Sequence, residues 1–176
     1  RNALLDAQQA LRVAAGGVRW VRPNALHLTL KFIGELREPD LPLAVRSLEE
    51  ATRQAGPFTM ELTELSSFPS RGAPRVIHVR VQELTGELER LHDAVNRALA
   101  DNLGIAPEKR RYIPHVTLGR VKELGAYPGL EGLKSAGRSE GFGAVEVHSI
   151  VLMKSDLSPG GAVYSVIHRF PLEQRK

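Results

Sequence analysis

Cysteine is absent from the 176 residues. That excludes a disulfide framework and a thiolate zinc site, and it fits a reduced protein of the cytoplasm. No apolar run approaches the roughly 20 residues needed to cross a bilayer, and no stretch has the pattern of a signal peptide. No membrane partner is expected. No low-complexity linker interrupts the chain, so residues 1–176 read as one domain, and any halves are fused lobes. The 6 histidines include no pair at the i, i+4 spacing of a helical metal site, and no carboxylate cluster accompanies them. The stretch Ser158-Pro159-Gly160-Gly161 is too short to cradle a phosphate and reads as a turn.

What remains is ordinary globular material. Hydrophobic residues make up 42% and charged residues 25%, enough for one core or for two small lobes packed together. The formal net charge of +4 admits a polyanionic partner without identifying one.

Periodicity divides the chain into short elements. Leu4, Leu5 and Leu11 with Ala7, Ala14 and Ala15 give an amphipathic helix closed by Gly16-Gly17. Val18 to Arg22 reads as a strand that stops at Pro23, and Leu26 to Ile33 as a strand that ends at Gly34. Asp40 stands where it caps a helix through about Gln54, stopped by Gly56-Pro57. Residues 58–65 and 75–81 form two further strands around the Ser-, Pro- and Gly-rich loop 66–74. The clearest helix runs from Glu83 to Gly104, with Leu84, Leu88, Leu91, Val95, Leu99 and Leu103 on one face. A basic loop, residues 107–112, leads to the strand carrying His115. Residues 125–137 are a helix candidate, and residues 144–157 and 162–172 form a hairpin. Strands outnumber helices without regular βαβ alternation. The expected class is α+β with antiparallel sheets.

Within this frame one pattern occurs twice: His27-Leu28-Thr29-Leu30 and, 88 residues later, His115-Val116-Thr117-Leu118. In a strand, residues i and i+2 share a face. His27 and Thr29 therefore project together, as do His115 and Thr117. Leu28, Leu30 and Phe32, or Val116 and Leu118, take the opposite, core face. Taken singly, either motif is the wet face of a sheet. Brought together, two imidazoles supply what phosphodiester chemistry requires, one taking a proton and one giving it. An ordinary imidazole pKa of about 6.5 populates both states near neutrality. Each threonine hydroxyl can donate to a phosphate oxygen and share the charge of the transition state.

The stretches "VRWVRPNALHLTLKFIGE", "FPSRGAPRVIHVRV" and "RRYIPHVTLGR" resemble the two-histidine (2H) phosphoesterase superfamily. They are more similar still to its bacterial and archaeal RNA 2′,3′-cyclic phosphodiesterases, also called 2′-5′ RNA ligases. The likeness runs from about Val18 to the last strand. It implies a fold of two pseudo-symmetric lobes, each an antiparallel sheet backed by helices, with the active-site cleft between them. It implies metal-independent hydrolysis of a 2′,3′-cyclic phosphate RNA end to a 2′-phosphate, without cofactor, by a monomer, with reversible 2′-5′ ligation as a further capacity. By the same resemblance His27 is the acid toward the departing 3′ oxygen and His115 the base toward water. Thr29, Thr117 and Arg120 are phosphate ligands.

Two features depart from the family pattern. Members usually open with a strand resembling "RLFxAxxLP"; nothing like it precedes Arg1, so a native N-terminal strand is expected before residue 1. Strict alternation from His115 puts Arg120 on the wrong face, so its phosphate contact requires a β-bulge or an early strand end; otherwise it is a solvated charge. His78, His92, His148 and His168 read as surface or half-buried side chains rather than catalysts. Arg19, Arg22, Lys31, Arg71, Arg75, Lys109, Arg110 and Arg111 supply positive charge for RNA. Phe68 and Tyr112 are either base-stacking residues or edge-of-core packing. Two other readings stay open: a phosphodiesterase for 2′-5′ oligonucleotides or small cyclic nucleotides, and a non-catalytic nucleotide-binding module.

Overall fold

A computed structural model of the chain describes residues 1–14, 16–122, 141–158 and 161–173. The elements are α1 (Asn2–Ala14), β1 (Val18–Trp20), α2 (Leu41–Thr52), β2 (Phe58–Phe68), β3 (Val76–Gln82), α3 (Glu87–Leu103), β4 (His115–Val121), β5 (Gly143–Val147), β6 (Ser149–Ser158) and β7 (Gly161–Pro171). The strands form a five-stranded sheet in the order β1-β4-β3-β2-β5 and a two-stranded sheet, β6-β7. The registered pairs β1–β4, β2–β3, β3–β4 and β6–β7 are all antiparallel. The class is α+β, as the patterning and the resemblance both indicated.

The chain resolves into two compact units. One comprises residues 1–29, 61–82 and 113–145, and the other 30–60, 83–112 and 146–176. The first holds α1 and most of the large sheet. Strand β3 alternates: Ile77, Val79 and Val81 are buried on one face, while His78 and Arg80 lie on the other. The apolar face and the buried Leu4, Ala7 and Leu11 of α1 make this unit's core, with Val116 and Leu118 from β4. Each large aliphatic side chain so buried contributes about 1.5–3 kcal/mol. Gln8 is the polar exception on α1. Its buried amide donates to the carbonyls of Val21 (2.9 Å) and Leu118 (2.8 Å), so the helix is tied to the sheet without an unsatisfied donor. In the second unit α2 packs on α3 and on β7.

Several expectations are corrected. Leu26 to Ile33 is not a ladder strand: Leu28 alone makes an isolated bridge, and Phe32 is 68% exposed rather than core. Alternation marked extended backbone there, but a strand also needs a partner along its length. The long helix starts at Glu87, because Gly86 at φ 79° interrupts it, and Leu84 lies outside at 77% exposure. Asp40 precedes α2 but makes no cap; its carboxylate holds Arg37 at 2.7 Å. Strand β2 extends through Ser66, Ser67 and Phe68, shortening the loop to residues 69–75. The stretch 144–157 breaks at His148, so that β5 joins the large sheet and β6 forms the hairpin with β7. The helix candidate at 125–137 lies outside the described residues.

Candidate active site

The two His-x-Thr triplets meet. Leu28 and Val116, the middle residues, form one antiparallel bridge. Antiparallel register about that bridge sets His27 alongside Thr117 and Thr29 alongside His115. Side chains alternate along each segment, so all four polar residues share the face opposite Leu28 and Val116. The local course of the chain explains how. β1 pairs with the C-terminal half of β4, Trp20 lying opposite Gly119, and the N–H of Val21 bonds the carbonyl of Leu118 at 2.8 Å. The chain then leaves the sheet through a 3₁₀ turn, Pro23–Ala25, and returns to the same edge of β4 at Leu28.

Both imidazoles are anchored alike. His27 Nδ1 lies 2.7 Å from the carbonyl oxygen of Ala25, and His115 Nδ1 lies 2.7 Å from that of Ile113. A carbonyl oxygen only accepts, so in each ring Nδ1 carries the hydrogen and donates it. Nε2 is therefore the nitrogen that takes up or gives a proton.

Register also brings in residues that the sequence did not single out. On β3, His78 lies opposite Thr117 and Arg80 opposite His115, and on β2 Ser66 lies opposite His78. His78 is no surface histidine: it is 1% exposed and stacks on Phe68, with centroids 4.1 Å apart and planes at 20°. Its ring meets His115 edge-on at 5.1 Å, and Phe68 meets His115 at 5.0 Å. Burial, reinforced by the nearby His115 and Arg80, pushes the His78 imidazole down to about 4, so it is neutral at ordinary pH. Its Nδ1 is buried with no hydrogen-bond partner among the described residues. The alternation of β3, polar at 78 and 80, was the available signal for this face.

The bulge needed by Arg120 exists. Between β3 and β4 the register steps from His78–Thr117 to Ile77–Gly119, leaving Leu118 extra, so that Arg120 pairs with Val76. Pairing returns Arg120 to the face of His78, and Arg19, its partner on β1, goes with it. One face of Phe68 is taken by His78. Arg75, exposed, closes the β2–β3 turn through its N–H to the Phe68 carbonyl at 2.7 Å. Tyr112 and Arg111 belong to the second unit, where Tyr112 stacks on His92 at 4.0 Å. Burial, with a smaller push from Glu108, raises the Tyr112 phenol above its ordinary range. Lys31 is engaged with the carbonyl of Ala106 at 2.8 Å. Among the described residues no group of three His, Asp or Glu side chains is arranged to hold a metal.

The geometry has relatives. The RNA 2′,3′-cyclic phosphodiesterase of Aeropyrum pernix is 37% identical over 151 residues, which is 86% of this chain and 84% of that protein. The one of Archaeoglobus fulgidus is 37% identical over 154 residues, 88% of this chain and 84% of its own. Among solved structures, TT0787 of Thermus thermophilus superposes with a TM-score of 0.85 at 30% identity, over 99% of this chain and 92% of that one. The Escherichia coli LigT complexed with 3′-AMP shares the fold, with a TM-score of 0.73 at 22% identity over 97% and 92% of the two chains. The model of the LigT-like phosphoesterases matches twice, at residues 1–78 and again at 79–164, and the chain belongs to that family.

Proposed function

We propose that this protein hydrolyses RNA 2′,3′-cyclic phosphate ends to 2′-phosphates by two-histidine acid–base catalysis, without a metal. The observation that carries the reading is the pairing of the two His-x-Thr triplets about Leu28 and Val116, in a chain whose relatives are named RNA 2′,3′-cyclic phosphodiesterase.

His115 takes a proton from water through Nε2 as the water oxygen bonds to phosphorus. The bond from phosphorus to the 3′ oxygen breaks, and His27, starting protonated, gives that oxygen its proton from Nε2. The products are a 2′-phosphate and a free 3′ hydroxyl; the two imidazoles then exchange protons with solvent. Thr29 and Thr117 donate to the non-bridging oxygens, where charge grows, and Arg120 adds a charge-assisted bond. Acid, base and oxyanion donors all come from side chains, so the scheme needs no Lewis acid. With a 5′ hydroxyl in place of water as the nucleophile, the same proton transfers join RNA ends through a 2′-5′ linkage and free the 3′ hydroxyl; run backward, they cleave that linkage and re-form the cyclic phosphate.

The test is incubation with excess EDTA and a short RNA ending in a 2′,3′-cyclic phosphate. A 2′-phosphate product at undiminished rate is expected. Loss of activity restored by a divalent ion assigns the reaction to a metal-dependent route. No turnover, with binding of the end retained, makes the protein a nucleotide-binding module.

A further inference from the structure

The hydrogen bond from His115 Nδ1 to the Ile113 carbonyl fixes one atom of the ring and one direction. It leaves the ring plane free to turn, because the terminal torsion of a histidine is broad and roughly two-fold. A base must hold its accepting nitrogen toward water within roughly 10–20° of the productive direction. Something else has to set the plane.

We propose that His78 is a positioning residue for His115, its ring acting with Phe68 as a wall that sets the plane of the His115 imidazole. The two rings meet His115 at 64° and 83°, with centroids 5.1 and 5.0 Å away, both in the edge-to-face range. The wall is itself rigid. His78 and Phe68 stack at 4.1 Å, and His78 is fully enclosed on the middle strand of the sheet.

A buried histidine whose Nδ1 has no hydrogen-bond partner among the described residues costs stability, because the desolvation of that nitrogen is not offset. Its neutral ring serves the step assigned to His115 nonetheless. A charged neighbour 5.1 Å away opposes the proton that His115 must accept, and a neutral one does not. Burial keeps His78 neutral at the pH where His115 works.

The inference rests on the proposed role of His115, so its test carries one arm that needs no activity. His78→Ala removes the wall, and His78→Phe keeps a ring while removing both nitrogens. Misplacing a reacting group by about 1 Å costs up to about 10²-fold, so kcat for the cyclic phosphate should fall roughly 10- to 100-fold in His78→Ala with KM little changed. His78→Phe should restore kcat to near the wild-type value. If His78→Ala does not fold, His78→Leu, apolar but without a ring, takes its place and should show the same fall in kcat. Wild-type kcat in the ringless variant overturns the proposal. So does an equal loss in His78→Phe, which moves the role to the nitrogens of His78.

The independent arm is nitrogen-15 NMR of the His115 side chain. Wild type should show one fixed Nδ1–H tautomer, and the ringless variant should show averaged signals. Unchanged signals overturn the proposal even if the protein proves inactive on RNA. Failure of the proposed function itself would appear as no turnover in wild type, with the His115 signals still responding to the change at His78.

Discussion

His27 and His115 each donate Nδ1–H to the carbonyl oxygen two residues earlier, over 2.7 Å in both cases. The identical anchor aims two Nε2 atoms from two parts of the chain with one device. It also makes each histidine separately removable, since both are only part-buried. His27→Ala and His115→Ala are each expected to fold and to lose on the order of 10²–10⁴-fold in turnover, the usual scale for one general acid or base. The double variant should lose far less than the product of the two, because both groups act in one step. The wild-type rate should be bell-shaped in pH, with one limb missing in each single variant. Wild-type turnover in both single variants ends the catalytic reading.

Arg19 and Arg120 face one another across β1 and β4, two like charges on the face of the histidines. Directly opposed like charges are unfavourable unless an anion lies between or beside them. Arg120→Ala should therefore weaken binding or turnover of the cyclic phosphate end by roughly 10-fold or more, as for a lost charge-assisted bond of about 1.5–3 kcal/mol. Arg19→Ala should act more weakly and flatten the dependence of KM on salt. A KM series in rising salt decides it; identical slopes with and without Arg19 return that residue to the bulk surface charge.

His78 sets a pH dependence of stability. The unfolded chain takes up a proton at this position near pH 6.5, whereas the folded chain takes none until about pH 4. Between those values the unfolded state holds more protons, so stability falls as pH drops through that window and is full above it. The titratable and charged groups that face His78 are Arg80 on its own strand, itself paired with Glu64 of β2 at 2.9 Å, and the titratable His115 on β4. Melting temperatures at pH 7 and pH 5 should differ less in His78→Phe than in wild type. Equal drops in the two proteins place the acid sensitivity elsewhere.

Gly119 has no room for a side chain. A Cβ there stands 2.7 Å from Val18 Cγ1, closer than real Cβ contacts come, and 3.0 Å from the Trp20 ring, at their tight limit. Gly119→Ala is expected to cost about 1–3 kcal/mol by overpacking, read as a lower urea midpoint. It also pushes β1 off β4 beside the bulge that returns Arg120 to the histidine face, so a loss in substrate binding should accompany the loss in stability. An unchanged midpoint shows that β1 yields freely.

Periodicity identified α1, α2, most of α3 and the β6–β7 hairpin, because each carries its own signal within a dozen or so residues. Pairing is different. Leu26 to Ile33 alternates like a strand, yet it meets the sheet only at Leu28, since the loop from Arg22 to Leu26 consumes the register that β1 established. Alternation alone set Arg120 on the wrong face, and only the bulge at Leu118 corrects it. The doubled motif was visible as text, and so was the proton-transfer chemistry proposed for it. His78 was visible only as one more histidine in a strand. That it touches His115 depends on β3 lying next to β4, a long-range fact that no local window holds.

The bridge between Leu28 and Val116 has the form of a contact across a two-fold axis. Residue x of one His-x-Thr meets residue x of the other, and exchanging the copies leaves the contact unchanged. In a homodimer this would be an isologous interface, and such symmetry binds both sides to the same sequence. A single chain that matches one family model twice is under no such bond. Each copy can acquire neighbours that the other need not repeat. Phe68 and His78 are the ring neighbours that β2 and β3 give to His115. Covalent continuity thus leaves two copies of one motif as positions that can be tuned separately.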